Sequence, residues 1–299
     1  MGLGMSLNLQ KYLLANGLPP LRYCNRTLSK GHALHEIGAI PEHGFEDVVQ
    51  NSDVIFTMIS TDDVLMELLT KALATGDSLK GKIFVDTSTI HPDTSEWAAQ
   101  RLSKFGSTFV AAPVFGASPV AATGKLIFAM AGPAKATETV RPLIMNIMGR
   151  SIIDMGEDVR KSSLLKISGN VLVISFMEVI AEAQVFAEVT GIGSHQLEDF
   201  IGNMFGPVLA SYSNRITSGA YAPPLETAPG FAAALACKDM KHALSIAASH
   251  NTNLPTLETA SSRLNSARDY AGEHLDSAAV YGIGRMEASL PFWIALDSS

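Results

Sequence analysis

Two hydrophobic rhythms divide the chain near residue 155. Before that point, short apolar runs alternate with segments of helical spacing. Segments 53–59 (DVIFTMI) and 82–86 (KIFVD) are unbroken apolar runs of strand length. Parallel strands covered on both faces need that pattern. Segments 18–24, 108–111 and 126–131 read as further strands. Helices are predicted over 5–16, 29–37, 62–74, 93–105 and 135–148. In the first of these Met5, Leu9, Tyr12 and Leu13 share a face, and Asn16-Gly17 supplies the left-handed stop. Such alternation calls for a parallel sheet with helices on both faces.

Beyond residue 155 the strand pattern stops. Segment 160–190 contains no proline and one glycine, Gly169, and is strongly apolar. As a helix it would be about 45 Å long at 1.5 Å per residue. Helices are also predicted over 195–218, 230–249 and 255–271, separated by Gly, Pro and Asn. The organisation read from sequence is an α/β domain over 1–155 and an all-α domain over 156–299 that begins with a long connecting helix.

Composition narrows the class. A chain of 299 residues, 47% hydrophobic and 17% charged, can build two cores. Its net charge of −7, with scattered basic residues, predicts no nucleic-acid partner. Glu178, Glu182 and Glu188 interrupt the most apolar stretch, 171–189, which argues for a buried soluble helix and no membrane partner. Cys24 and Cys237 sit in apolar or alternating surroundings and read as buried free thiols. No CxxC or HExxH spacing occurs, so no metal is expected. The first residues lack a signal-peptide pattern, and a cytoplasmic location is the default, with a mitochondrial one as the alternative.

Several short segments carry candidate chemistry. The opening Gly2-Leu3-Gly4 has no strand before it, which a phosphate-binding turn requires. Asn25-Arg26-Thr27 ends a strand without an acid. Asp86-Thr87-Ser88-Thr89-Ile90-His91-Pro92 follows a buried strand, with Asp93 or Thr94 as candidate helix N-cap. Ala112-Pro113-Val114-Phe115-Gly116-Ala117 is a small-residue turn interrupted by an aromatic. Lys166 and Asn170, in KISGN, are spaced i, i+4 and fall on one helix face. Segment 231–239, FAAALACKD, ends in Lys238-Asp239, where Asp239 is either a partner of Lys238 or an ordinary helix-face acid. The remaining histidines show no ligand spacing.

Taken together and in this order, these segments resemble the β-hydroxyacid dehydrogenase family, relatives of 6-phosphogluconate and 3-hydroxyisobutyrate dehydrogenases. The family opens with a strand and GxGxMGxxMxxNL, and residues 1–9 fit the tail of that pattern, with Gly2 as the third glycine. In this register the Rossmann-like first strand and the first two glycines are missing. That predicts two unpaired strand edges, weak cofactor binding and reduced stability. The resemblance implies a cleft between the domains, dimerisation or tetramerisation through the helices, and NADP-dependent hydride transfer between a 3-hydroxy acid and its aldehyde or ketone. It places Gly2, Asn25, Arg26, Thr27, Thr89 and Lys238 at the cofactor, with Arg26 favouring NADP over NAD. It assigns Lys166 and Asn170 to catalysis and Phe115, Gly116 and Ala117 to the substrate. The chain departs from the family's APVSGG at 115, where Phe replaces Ser, and at 117, where Ala replaces Gly. Those changes put small hydroxy acids in doubt and keep open a packing role for Phe115. An imine or bulky-carbonyl reductase is one alternative, and a non-catalytic binding or assembly protein with the same fold is another.

Overall fold

In the computed structural model, residues 1–294 are described. The chain forms two compact units, residues 1–166 and 167–299. The division falls inside the long helix, Val159–Thr190.

The first unit contains α1 (Gly2–Ala15), β1 (Arg22–Tyr23), α2 (His32–His35), β2 (Ile40–Pro41), α3 (Phe45–Gln50) and β3 (Val54–Thr57). It continues through α4 (Asp62–Leu73), β4 (Ile83–Asp86), α5 (Pro92–Ser103), β5 (Thr108–Ala111), β6 (Val114–Phe115) and α6 (Ser118–Ala122). It ends with β7 (Leu126–Met130), α7 (Ala134–Ile144), β8 (Gly149–Asp154) and the start of α8 (Val159–Thr190). The parallel pairs are β1–β2, β3–β4, β4–β5 and β7–β8, while β6 runs antiparallel to β7.

These strands form three small sheets, ordered β1-β2, β3-β4-β5 and β6-β7-β8. The latter two meet where Ala111 and Ala131 exchange backbone hydrogen bonds of 2.9 and 2.8 Å. No described strand is hydrogen-bonded to the outer edge of β3.

Alternate side chains bury in two cores. Phe84 and Phe109 point into one with Ile55, Leu69 and Leu102. Val85 and Val110 point into the other with Met5, Leu9, Leu126 and Phe128. This period-two division explains why the strands are apolar throughout. Close backbone contact between α1 and α6 needs Gly4, where a Cβ would stand 3.0 Å from Ala122 N.

The second unit is helical. It holds most of α8, then α9 (Ser194–Phe205), α10 (Pro207–Thr217), α11 (Ala233–Ser249), α12 (Pro255–Ala271) and α13 (Val280–Glu287). The single helix predicted over 195–218 is two, because Gly206 at φ +84° and Pro207 break the turn between α9 and α10. By length and hydropathy α8 could cross a membrane. Its Ile174, Met177, Ile180 and Ala181 instead lie in the core of this unit. Cys24 and Cys237 are free thiols but half-buried, not fully buried as predicted. Partial burial pushes both thiols up, away from a reactive thiolate.

Candidate functional site

Loops leaving the carboxyl ends of the parallel strands carry the first group of candidates. Past β1, Asn25, Arg26 and Thr27 are exposed, and Asn25 Nδ2 donates to Thr27 O at 2.7 Å. Past β3, Met58 lies against Gly2 at the start of α1. A Cβ on Gly2 would meet Met58 Cβ at 3.5 Å, an ordinary contact. The first-turn N–H groups of α1 receive no side-chain cap.

The loop past β4 is held by a buried network. Thr57 Oγ1 and Ser88 Oγ donate to Asp86 Oδ1 at 2.7 and 2.9 Å. Ser88 N donates to Asp86 Oδ2 at 3.2 Å, and Ile59 N to Ser88 Oγ at 2.8 Å. The loop therefore presents half-buried Thr89 on a fixed base. The N-cap of α5 is His91, not Asp93 or Thr94. His91 Nδ1 accepts from Asp93 N at 3.2 Å, and Pro92 fills the first helical position. Asp86 and Ser88 were legible only as motif letters, although an acid closing an apolar strand signals a buried acceptor.

Segment 112–117 is tied to the same loop, since Ala112 N donates to Asp86 O at 2.7 Å. Phe115 pairs with Ile127 in the antiparallel β6–β7 ladder. At Gly116, φ is +130° and a Cβ would stand 2.8 Å from Leu126 Cδ2, so this position requires glycine. Ala117 caps α6 without a side-chain hydrogen bond. Phe115 is half-buried, and its ring carries the Lys166 ammonium 4.7 Å from the centroid.

Lys166 and Asn170 follow one another by a turn of α8. In the second unit Asn170 is buried and its Nδ2 donates to Asp239 Oδ2 at 2.6 Å. Lys238 Nζ lies 3.1 Å from Asp239 Oδ1. Asp239 is thus not a solvated helix-face acid; it is buried and joins Asn170 to Lys238. The structure brings together Phe115 with Lys166 and Asn170 with Lys238.

These residues fit a dinucleotide. Uncapped helix N–H groups, an exposed guanidinium and a threonine hydroxyl all lie just past the carboxyl ends of parallel strands, where such ligands bind.

Residues 1–156 match the NAD binding domain of 6-phosphogluconate dehydrogenase. Residues 161–283 match the NAD-binding region of NADP-dependent 3-hydroxyisobutyrate dehydrogenase. The chain belongs to this dehydrogenase family. It is 30% identical to the NADH-dependent oxidoreductase ucdB of Aspergillus ustus, over 98% of each chain. It is 28% identical to 2-hydroxy-3-oxopropionate reductase of Escherichia coli, covering 84% of this chain and 88% of that one. The Mycobacterium tuberculosis 3-hydroxyisobutyrate dehydrogenase solved with L-serine superposes with a TM-score of 0.76 at 25% identity, covering 94% of both chains. The Rossmann-like and helical halves of the family are those described above. The protein is an NAD(P)-dependent oxidoreductase.

Proposed function

We propose that the chain catalyses NADP-dependent hydride transfer between a 3-hydroxy acid and the corresponding aldehyde or ketone. One observation carries this reading: Lys166 and Asn170 stack on one face of α8, and Asn170 is fixed by buried Asp239. A bound nicotinamide supplies or accepts the hydride. In reduction, Lys166 Nζ gives its proton to the carbonyl oxygen as that oxygen gains charge. In oxidation the neutral amine takes the hydroxyl proton. Asn170 orients the substrate oxygen, its own amide held by Asp239. Phe115, Gly116 and Ala117 line the substrate, with backbone N–H groups available to a carboxylate.

Gly2, Asn25, Arg26, Thr27, Thr89 and Lys238 are the proposed cofactor residues. Arg26, with no acid beside it, favours the 2′-phosphate of NADP. The Aspergillus relative is named NADH-dependent, so both cofactors belong in the assay. Phe115 supports a second reading, reduction of a bulkier carbonyl or an imine.

The test is turnover of 3-oxo acids, semialdehydes and cyclic imines with NADPH and NADH. Lys166→Ala is expected to lower kcat by about 10²–10⁴ while cofactor affinity stays unchanged. Full turnover by that variant overturns the assignment. Absence of turnover on every one of these substrates, with cofactor bound, overturns the proposed substrate class.

The outer face of α8 supports self-association. Leu172, Phe176, Val179, Ala183, Phe186 and Thr190 repeat at intervals of four and three, the spacing of a coiled-coil seam. Leu172, Phe176, Val179 and Phe186 are 40–61% exposed. The spacing reads the same in both directions. An antiparallel second copy therefore sets Phe176 against Phe186 and Val179 against Ala183, as a two-fold interface requires. Phe176→Glu with Phe186→Glu is expected to halve the mass measured by light scattering. An unchanged mass rules this seam out.

A further inference from the structure

We propose that Phe115 is a positioning residue that seats the Lys166 ammonium through the face of its ring. The proposal rests on Lys166 as the proton-transferring group. The ammonium lies 4.7 Å from the ring centroid, well inside the range of cation–π attraction. Both side chains are half-buried, where that attraction is less screened than at an open surface.

The two partners differ in freedom. The backbone at Phe115 is held by its β6–β7 pairing and by Gly116, whose φ of +130° favours glycine, and its ring turns about two torsions only. Lys166 has a four-carbon stem with many rotamers and no fixed fork. The ring therefore restrains the lysine, not the reverse. A reactive atom that must meet a carbonyl oxygen gains rate from such restraint.

Serine, the family residue at 115, would act on an ammonium through its hydroxyl oxygen. A phenyl ring attracts the cation but accepts no proton. In reduction the N–H bond of Lys166 breaks and an O–H bond forms on the substrate. A nicotinamide, when bound, would supply the hydride for the C–H bond, and the lysine is left as a neutral amine. The ring's hold on it weakens at that moment, because the quadrupole attracts the charged form more strongly than the neutral amine. The amine then recovers a proton from water.

The experiment replaces Phe115 with 4-fluoro-, 3,5-difluoro- and 3,4,5-trifluorophenylalanine in the full chain. These rings keep their shape and lose negative potential on the face. The expected result is a graded fall in kcat of about two- to fivefold across the series, with KM for the carbonyl substrate unchanged. Phe115→Tyr restores the wild-type rate, and Phe115→Leu does not. A flat kcat across the fluorinated rings overturns the proposal and leaves Phe115 as a space-filling wall.

A second readout needs no turnover. In protein labelled with ¹³C-lysine, the Lys166 Hε resonance should be shifted upfield by the ring and return in Phe115→Leu. An unshifted resonance in the wild type overturns the seat itself. A shifted resonance together with full turnover by Lys166→Ala would remove the proton-transfer reading and the positioning role with it.

Discussion

The two units bury polar groups by different means. In the first, the polar interior consists largely of short side chains at strand ends and on α5 and α8. Thr57 and Ser88 donate to Asp86, Thr87 Oγ1 donates to Thr57 O, and Ser95 shares a 2.8 Å hydrogen bond with Ser163. In the second, long charged groups bridge helices. Arg263 joins Glu178, Glu182 and Glu287, while Arg285 and Tyr281 meet Glu188. Short hydroxyls reach only an adjacent strand end or a closely packed helix, so they tie neighbouring elements and the loops between them. Helices typically pack 8–10 Å apart, and where small residues do not bring them closer, long side chains are needed to bridge them. The first kind of unit offers a ligand a rigid, mostly neutral rim. The second offers charge held in place by countercharge, as Asp239 holds Lys238 and Asn170.

The comparison breaks most readily at Asp86. Its two oxygens accept three hydrogen bonds in a buried site, and Asp86→Ala leaves those donors without an acceptor. We expect a loss of about 3 kcal/mol in chemical denaturation, with Asp86→Asn recovering part of it. If Asp86→Ala unfolds at the wild-type midpoint, the mostly neutral rim does not depend on that carboxylate.

This contrast also explains what could be read without coordinates. Apolar runs 53–59 and 82–86 announced β3 and β4 because both faces of those strands are covered. KISGN was legible because i, i+4 spacing is local to one helix. The role of Asp239 was not, since its partner Asn170 lies 69 positions away and only packing unites them. Short elements escaped for a different reason. β6 has two residues beside Pro113, and α3 has six, too few to express a period. The 4.7 Å approach of Lys166 to Phe115 left no trace in spacing at all. Phe115 stood out in the sequence only as a departure from a motif.

Arg26 sharpens the comparison from the opposite side, because its loop is exposed and has one short internal hydrogen bond. A guanidinium there can recognise a phosphate without supporting the fold. Arg26→Ala should weaken NADPH binding by about 10- to 100-fold in calorimetric titration, the range of a lost charge-assisted contact, and leave NADH affinity and unfolding unchanged. Equal weakening of both cofactors would give Arg26 a role in loop shape rather than in phosphate recognition.

The smallest expected effect tests the charged interior of the helical unit. Glu178 is buried, with Oε1 on Arg263 and Oε2 without a hydrogen-bond partner among the described residues. Burial raises its carboxyl above the ordinary value of 4.5, and the Arg263 charge only partly offsets that. A raised acid favours the protonated folded form. The stability it contributes is therefore complete below pH 4.5 and is lost as the pH rises through the folded-state value. Glu178→Gln keeps the shape and an acceptor for Arg263 but does not titrate. The stability of the wild type relative to this variant should fall as the pH is raised from 4 toward neutrality, followed by urea denaturation at each pH. Parallel curves would mean that Arg263, with Glu182 and Glu287 still on it, fully compensates the buried charge. The helical interior would then be electrostatically neutral in effect, and the contrast with the first unit would reduce to side-chain length.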